Sequence, residues 1–193
     1  MSSNARGRAT RERLLDAAEV AFAEHGWTLS MEQVAVEAGV VRPTVYRHFG
    51  GRDDLLVAMV RRSAGRLGAR LDDVFTSDRT WPDRVVEAVV VVVAELRATP
   101  HLAALVTSGE VTTVWPEIDS DRRFLDGVIA YFEMWLDRAA ADGVRFRAPV
   151  IDVVDWLLRT TTMQVTILGL GGTSIERLRY EVETFVLPVI FDE

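Results

Sequence analysis

The chain contains no cysteine, which excludes disulfides and thiol chemistry of any kind. It contains no lysine either, so all 22 of its cationic side chains are arginine, a pattern that reads as a genome-level bias. Long hydrophobic runs are also missing. The most apolar window, Val85 to Leu96, is interrupted by Glu87 and Glu95 and is too short to span a bilayer. The first thirteen residues, MSSNARGRATRER, have no apolar core of the kind a signal peptide needs, so the expected location is the cytoplasm, with no membrane partner. Histidine is scarce, and the three present, His25, His48 and His101, lack metal-ligand spacing, so no metal and no cofactor is expected. Gly169-Leu170-Gly171-Gly172 lacks both the lysine of a phosphate loop and the third glycine of a dinucleotide fingerprint, and it reads as an inter-helix loop. No Ser/His/Asp set and no paired-carboxylate motif stands out.

What is present is a chain of 193 residues, 49% hydrophobic, enough for a sizeable core in one large domain or two small ones. Its net charge of -7 is unevenly distributed. Residues 1–50 carry six Arg against six Asp/Glu, whereas residues 51–193 carry 16 Arg against 23 Asp/Glu. Four arginines, Arg6, Arg8, Arg11 and Arg13, fall within the first thirteen residues. A second cationic stretch, VRPTVYRHF, concentrates arginine, histidine and tyrosine between Val41 and Phe49. Local basic segments on an acidic protein point to an anionic partner.

Periodicity predicts an all-α chain of about nine helices. Leu14, Ala18 and Phe22 form a stripe on a first helix, taken to start at Thr10 as N-cap and to stop before Gly26. Ser30 with Gln33 is a capping box for a two-turn helix that ends at Gly39. Pro43 fits the first turn of a third short helix, with Val45 and Phe49 inward. Asp53 and Asp54 open a long fourth helix to about Phe75. Further helices are expected from Thr80 to Ala98, from His101 to Ser108, from Asp119 or Ser120 to Ala141, from Pro149 to Leu168, and from a Thr173 cap to Ile190. Five consecutive valines, Val89 to Val93, favour strand by propensity, but their flanks favour helix and no partner strand exists in the sequence.

A two-turn helix, a tight turn at Gly39 and a second short helix make a helix-turn-helix. Its second helix would enter the DNA major groove with its N-terminal end leading. Arg42 stands at that end, suited to paired hydrogen bonds with guanine. Thr44 offers a hydroxyl and a methyl, while Tyr46, Arg47 and His48 suit phosphate and sugar contacts.

Residues 9–56, and in particular LLDAAEVAFAEHG, VAVEAGV, TVYRHF and RDDLL, resemble the DNA-binding region of the TetR family of transcriptional regulators. Tyr46, His48 and Phe49 fall on the family's YxHF pattern. The resemblance covers about a quarter of the chain. Two positions depart from it: Val41 stands where serine is common, and Arg52 where lysine is common. The resemblance implies a homodimer on a pseudo-palindromic double-stranded operator, with a DNA-binding domain over residues 1–52, a ligand-binding and dimerisation domain over 53–193, and the fourth helix, from 53, linking the two. The DNA-facing set is expected to be Arg6, Arg8, Arg11, Ser30, Met31, Arg42, Pro43, Thr44, Tyr46, Arg47, His48 and Arg52.

A small, largely apolar or amphipathic effector is expected between the C-terminal helices, near Met59, Val93, His101, Leu105, Trp115, Phe124, Val128, Tyr131, Phe132, Trp135 and Gln164. Aromatics at helical spacing are equally compatible with plain core. The last two helices are expected to dimerise through Val153, Val154, Leu157, Thr161, Val165, Leu178, Val182, Phe185 and Val186. A repressor released by its effector is the leading reading. A helix-turn-helix regulator without a small ligand and an all-helical enzyme are the alternatives.

Overall fold

The computed structural model describes residues 2–107, 123–166 and 174–192, with the side chains of 2–4, 105–107 and 123–125 left aside. Its elements are α1 (Ser2–His25), a 3₁₀ turn (Gly26–Thr28), α2 (Met31–Glu37), α3 (Arg42–His48), α4 (Arg52–Phe75), α5 (Trp81–Ala98), α6 (Pro100–Thr107), α7 (Arg123–Ala141), α8 (Val150–Thr166) and α9 (Ile175–Glu181). A π-helical turn (Val182–Val186) and a short α10 (Leu187–Ile190) follow α9 without a break. Among the described residues the only extended pairing is a single antiparallel bridge, Phe146 to Phe191. The expected all-α class is therefore correct.

Two compact units divide the chain. The first holds the residues up to Gly65 and resumes at Thr99, so it includes α1 to α3, the first part of α4, and α6. The second takes Arg66 to Ala98 and the C-terminal helices. The division falls inside α4, the helix expected to link the two domains. The cause is burial: Leu55, Leu56 and Met59 are 0–2% exposed and belong to the same core as Leu14, Phe22, Val34 and Val45.

In the first unit, the helix-turn-helix forms as its sequence dictates. Gln33 N–H donates to Ser30 Oγ at 3.3 Å and Ser30 N–H donates to Gln33 Oε1 at 2.7 Å, the reciprocal capping box. Gly39 adopts φ +65° after α2, and the Val40 N–H closes onto Ala35 O. A side chain at that left-handed position would be strained. α1 starts about two turns earlier than expected. Thr10 lies inside the helix, its hydroxyl donating to Arg6 O at 3.0 Å. Residues 2–9 hold no proline, and once a helix is nucleated each further residue adds a hydrogen bond.

In the second unit, the five-valine run is helical and central. Val89, Val90, Val91 and Val93 on α5 are all buried, which is how a helix apolar on every side is accommodated. Thr80 caps α5 with Asp83, whose N–H reaches Thr80 Oγ1 at 3.3 Å. At the C-terminal end, Ser174 caps α9 by accepting from Arg177 N–H; Thr173, the expected cap, lies outside the described residues. The single expected terminal helix is interrupted by the π turn because Pro188 has no N–H to continue the α pattern, and Leu187 N–H bonds five residues back to Val182 O.

Because Leu55 is shared with the core beneath the helix-turn-helix, Leu55→Ala is expected to lower unfolding stability by about 2–5 kcal/mol. The exposed Val20→Ala is expected to stay within about 0.5 kcal/mol. Urea denaturation followed by circular dichroism measures both.

Candidate DNA interface and ligand site

α3 is anchored by one face and open on the other. Val45 and Phe49 are 0% and 3% exposed. Arg42, Pro43, Tyr46 and Arg47 are exposed, with Thr44 and His48 half-buried. Val41 holds the N-cap position without a side-chain hydrogen bond, as the departure from serine implied. The helix start is fixed instead by Pro43 in its first turn and by Thr44 N–H bonding Val41 O at 2.8 Å.

Arg42 is not a loose surface cation. Its Nη2 donates to the Tyr46 hydroxyl at 3.1 Å, its guanidinium lies 5.3 Å from the Tyr46 ring centroid, and its Nη1 stands 3.8 Å from Glu32 Oε2. The Tyr46 hydrogen bond, more than the Glu32 charge, pushes its pKa further up.

Other expected DNA contacts are repositioned. Met31 is 4% exposed and packs in the core below α2, so its side chain is not available to DNA. Arg52 is committed to the loop before α2: its Nε donates to Leu29 O at 2.9 Å and its Nη2 to Trp27 O. Those carbonyls belong to the 3₁₀ turn and the residue after it, and a guanidinium fork matches two nearby acceptors. Arg11 lies over the Phe49 ring at 4.9 Å, bracing the end of α3. Arg6 and Arg8 are exposed on the first turns of α1, and Ser30 is exposed at its cap. Sequence reasoning missed Arg62, whose guanidinium meets Asp16 at 2.7 Å, Glu19 at 2.9 Å and Glu12 at 3.4 Å, tying α4 to α1. These partners lie 43 to 50 positions away and carry no local signal.

The second unit contains a small apolar cavity of about 40 Å³. Val85, Ala88, Val89 and Val92 of α5 form one wall; Phe132 and Leu136 of α7, with Phe75 of α4, form another. Val154, Leu157, Leu158 and Thr161 of α8 complete it. Thr161 supplies the one polar side chain of the lining, and its hydroxyl already donates to Leu157 O at 2.7 Å.

Of the expected ligand residues whose side chains are described, only Phe132 lines this cavity. Met59 and His101 belong to the first unit's core, where His101 Nε2 is 2.9 Å from Ser63 Oγ and its ring meets Phe22 edge-on. Val93 is fully buried on α5 away from the lining, and Val128 is half-buried on α7. Trp135 stacks on Phe75 at 5.1 Å. Tyr131 donates to Asp72 Oδ1 at 2.8 Å, and burial, reinforced by that bond, pushes its pKa well up. Gln164 sits in an outer groove, with its Nε2 donating to Glu181 at 3.3 Å. Trp115 and the side chains of Leu105 and Phe124 lie outside the described residues.

The expected dimer stripe is mostly interior. Val153, Val154, Thr161, Val165, Leu178, Val182 and Val186 are buried within the chain, and Leu157 lines the cavity. Phe185 alone of that set stands well out, at 61% exposure. The most apolar stripe of each helix packs against its own subunit. The exposed apolar surface is the adjacent stripe, with Trp156 and Met163 of α8 beside Phe185 around one groove, and Val189 beyond. Arg159 and Thr160, interleaved with that stripe, hid it from a hydropathy reading.

Residues 14–59 match the profile of bacterial regulatory proteins of the tetR family. The chain is 33% identical, over 185 residues, to an uncharacterized HTH-type transcriptional regulator of Mycobacterium tuberculosis H37Rv, covering 93% of this chain and 84% of that protein. The protein belongs to the tetR family. Solved structures with the same fold include the fatty acid degradation regulator FadR of Bacillus halodurans, at TM-score 0.76 and 20% identity over 92% of this chain and 94% of that one. FadR of Bacillus subtilis, solved with stearoyl-CoA, follows at 0.75 and 18% over 93% and 98%. The ketosteroid regulator KstR2 of Mycobacterium tuberculosis gives 0.66 and 19% over 95% of each chain. This tetR-family chain is a transcriptional regulator, as are its relatives, which sets the enzyme alternative aside. Among the described residues no group of three His, Asp or Glu could hold a metal ion, and no helix is long and apolar enough to cross a membrane.

Proposed function

We propose that this regulator is a cytoplasmic repressor, a homodimer that binds a pseudo-palindromic operator through α3 and leaves it when a hydrocarbon-rich effector enters the second unit. The observation that carries the effector class is the cavity lining. Ten of its eleven residues are apolar, and the hydroxyl of the eleventh is already satisfied within α8. A polar group pushed into that space would lose its hydration without a partner, which costs free energy. The buried part of the effector is therefore an alkyl chain or a fused hydrocarbon ring. FadR with stearoyl-CoA and the ketosteroid regulator KstR2 are fold relatives in keeping with that class.

A space of about 40 Å³ is far below the roughly 300 Å³ of a typical small-molecule site. The effector must part α5, α7 and α8 to enter. It shifts the equilibrium only by its differential affinity for the parted and closed states, so the closed form is assigned to the operator-bound regulator.

The dimer is assigned to the exposed stripe of Trp156, Met163, Phe185 and Val189, in place of the buried stripe. An apolar surface of this kind, interleaved with polar groups, suits a two-fold interface in which each patch meets itself.

Two measurements test these assignments. Saturated fatty acids and their acyl-CoA forms of increasing length, with a sterol ketone beside them, should raise the melting temperature and release operator DNA. Val89→Trp, which fills the cavity, should keep DNA binding while abolishing that response; if no member of either series shifts melting or DNA release, the regulator works without such a ligand. Phe185→Asp should halve the mass found by light scattering and weaken operator binding at least about tenfold. A dimer unchanged by Phe185→Asp would place the interface elsewhere.

A further inference from the structure

Arg42 reads as the base-contacting side chain of α3, yet it stands beside an acidic residue on the face that phosphates would approach. Glu32 lies on α2, exposed, and its Oε2 is 3.8 Å from Arg42 Nη1. Tyr46 lies one turn along α3 and accepts from Arg42 Nη2 at 3.1 Å. The guanidinium thus has one partner on each helix of the helix-turn-helix, a hydrogen bond from α3 and an ion pair from α2. Glu32 has no part in capping α2, which uses Ser30 and Gln33. Its carboxylate would repel a nearby phosphate, so by itself it weakens binding to any DNA.

A guanidinium carries five N–H donors in one rigid plane. One direction donates to Tyr46, Glu32 stands at ion-pair distance on the Nη1 side, and the rest of the plane is left for a ligand. Recognition of guanine O6 and N7 requires that plane to be oriented, since both bonds must form together. A phosphate can take a guanidinium through one oxygen or two and from several sides of the backbone, so it depends less on one fixed plane. A contact that orients Arg42 therefore favours guanine over phosphate. A negative charge at the same place disfavours phosphate-only binding. Both effects act in the same sense, toward discrimination rather than affinity.

We infer that Glu32 is a specificity residue: with Tyr46 it fixes the plane of Arg42 for a guanine, and its charge suppresses sequence-independent binding. This rests on the reading of α3 as the DNA-facing helix. Glu32 touches no base in this account and acts by positioning Arg42.

The test selects a randomised duplex library with the full-length protein and with Glu32→Gln, Arg42→Ala and Tyr46→Phe, then measures affinity for the enriched duplex and for a scrambled one. The parent chain should enrich a guanine in each half-site that Arg42→Ala no longer selects. Glu32→Gln should lower the preference at that one position by about threefold to tenfold and raise affinity for the scrambled duplex by about twofold to fivefold. Its melting temperature should stay close to the parent's, because Glu32 is exposed and outside the capping box and its loss removes only a first-turn carboxylate from the positive end of the α2 dipole. A Glu32→Gln profile identical to the parent's at both the guanine and the scrambled duplex would overturn the inference and leave the DNA-facing helix in place. Guanine selection that survives Arg42→Ala would overturn it by removing the reader. A parent chain that enriches no sequence would overturn the DNA-facing helix itself, and this inference with it.

Discussion

The burial of Val45 and Phe49 is the constraint on which the DNA-facing surface depends. α3 is only seven residues long, far short of what an isolated helix needs in water, and its N-cap residue, Val41, provides no side-chain hydrogen bond. It exists because its inner face is inserted into the core of the first unit, with Pro43 setting its start and Arg11 bracing the Phe49 ring at its end. Everything the outer face offers to DNA is positioned by that insertion. Arg52 and Arg62 support the same core from α4, the first by closing the loop before α2 and the second by drawing three carboxylates of α1 onto one guanidinium.

On the proposed DNA-binding reading, this division of labour among arginines explains how an acidic chain without lysine would bind an anion. Arg52 and Arg62 are used inside the first unit, Arg42 is oriented at its surface, and Arg47 is exposed beside it. The charge that matters for DNA is local, and the net charge of -7 belongs almost entirely to the rest of the chain.

Much of this was legible in the sequence where the governing interactions are short in range. The capping box at Ser30, the helix stop at Gly39, the Pro43 start and the inward Val45 and Phe49 are all decided within four or five residues, and each stands as read. The helical five-valine run was also legible, because its flanks and the lack of a partner strand outweigh propensity. What failed were long-range judgements. Met31 was read as surface although the core claims it, and His101 was read as a ligand residue although α6 packs with α1 in the first unit. The dimer stripe was placed on the most apolar positions of α8 and α9, which bury within the chain first. Periodicity identifies a stripe that must be covered but does not say by which chain. The cavity wall was missed for a related reason: small aliphatic residues such as Val85, Ala88 and Val92 look like ordinary core until their packing is seen to leave a gap.

We propose that α3 presents an oriented, cationic surface to double-stranded DNA. The most direct measurement is the affinity of the full-length protein for its enriched duplex as a function of salt. Displaced counterions make affinity fall steeply when several phosphates are contacted, by at least about a hundredfold between roughly 50 and 200 mM salt for four or more contacts. A fall of that size is expected. A response of less than about threefold over the same range would contradict it, because binding would then owe nothing to the phosphates that Arg47, Tyr46 and His48 are placed to meet.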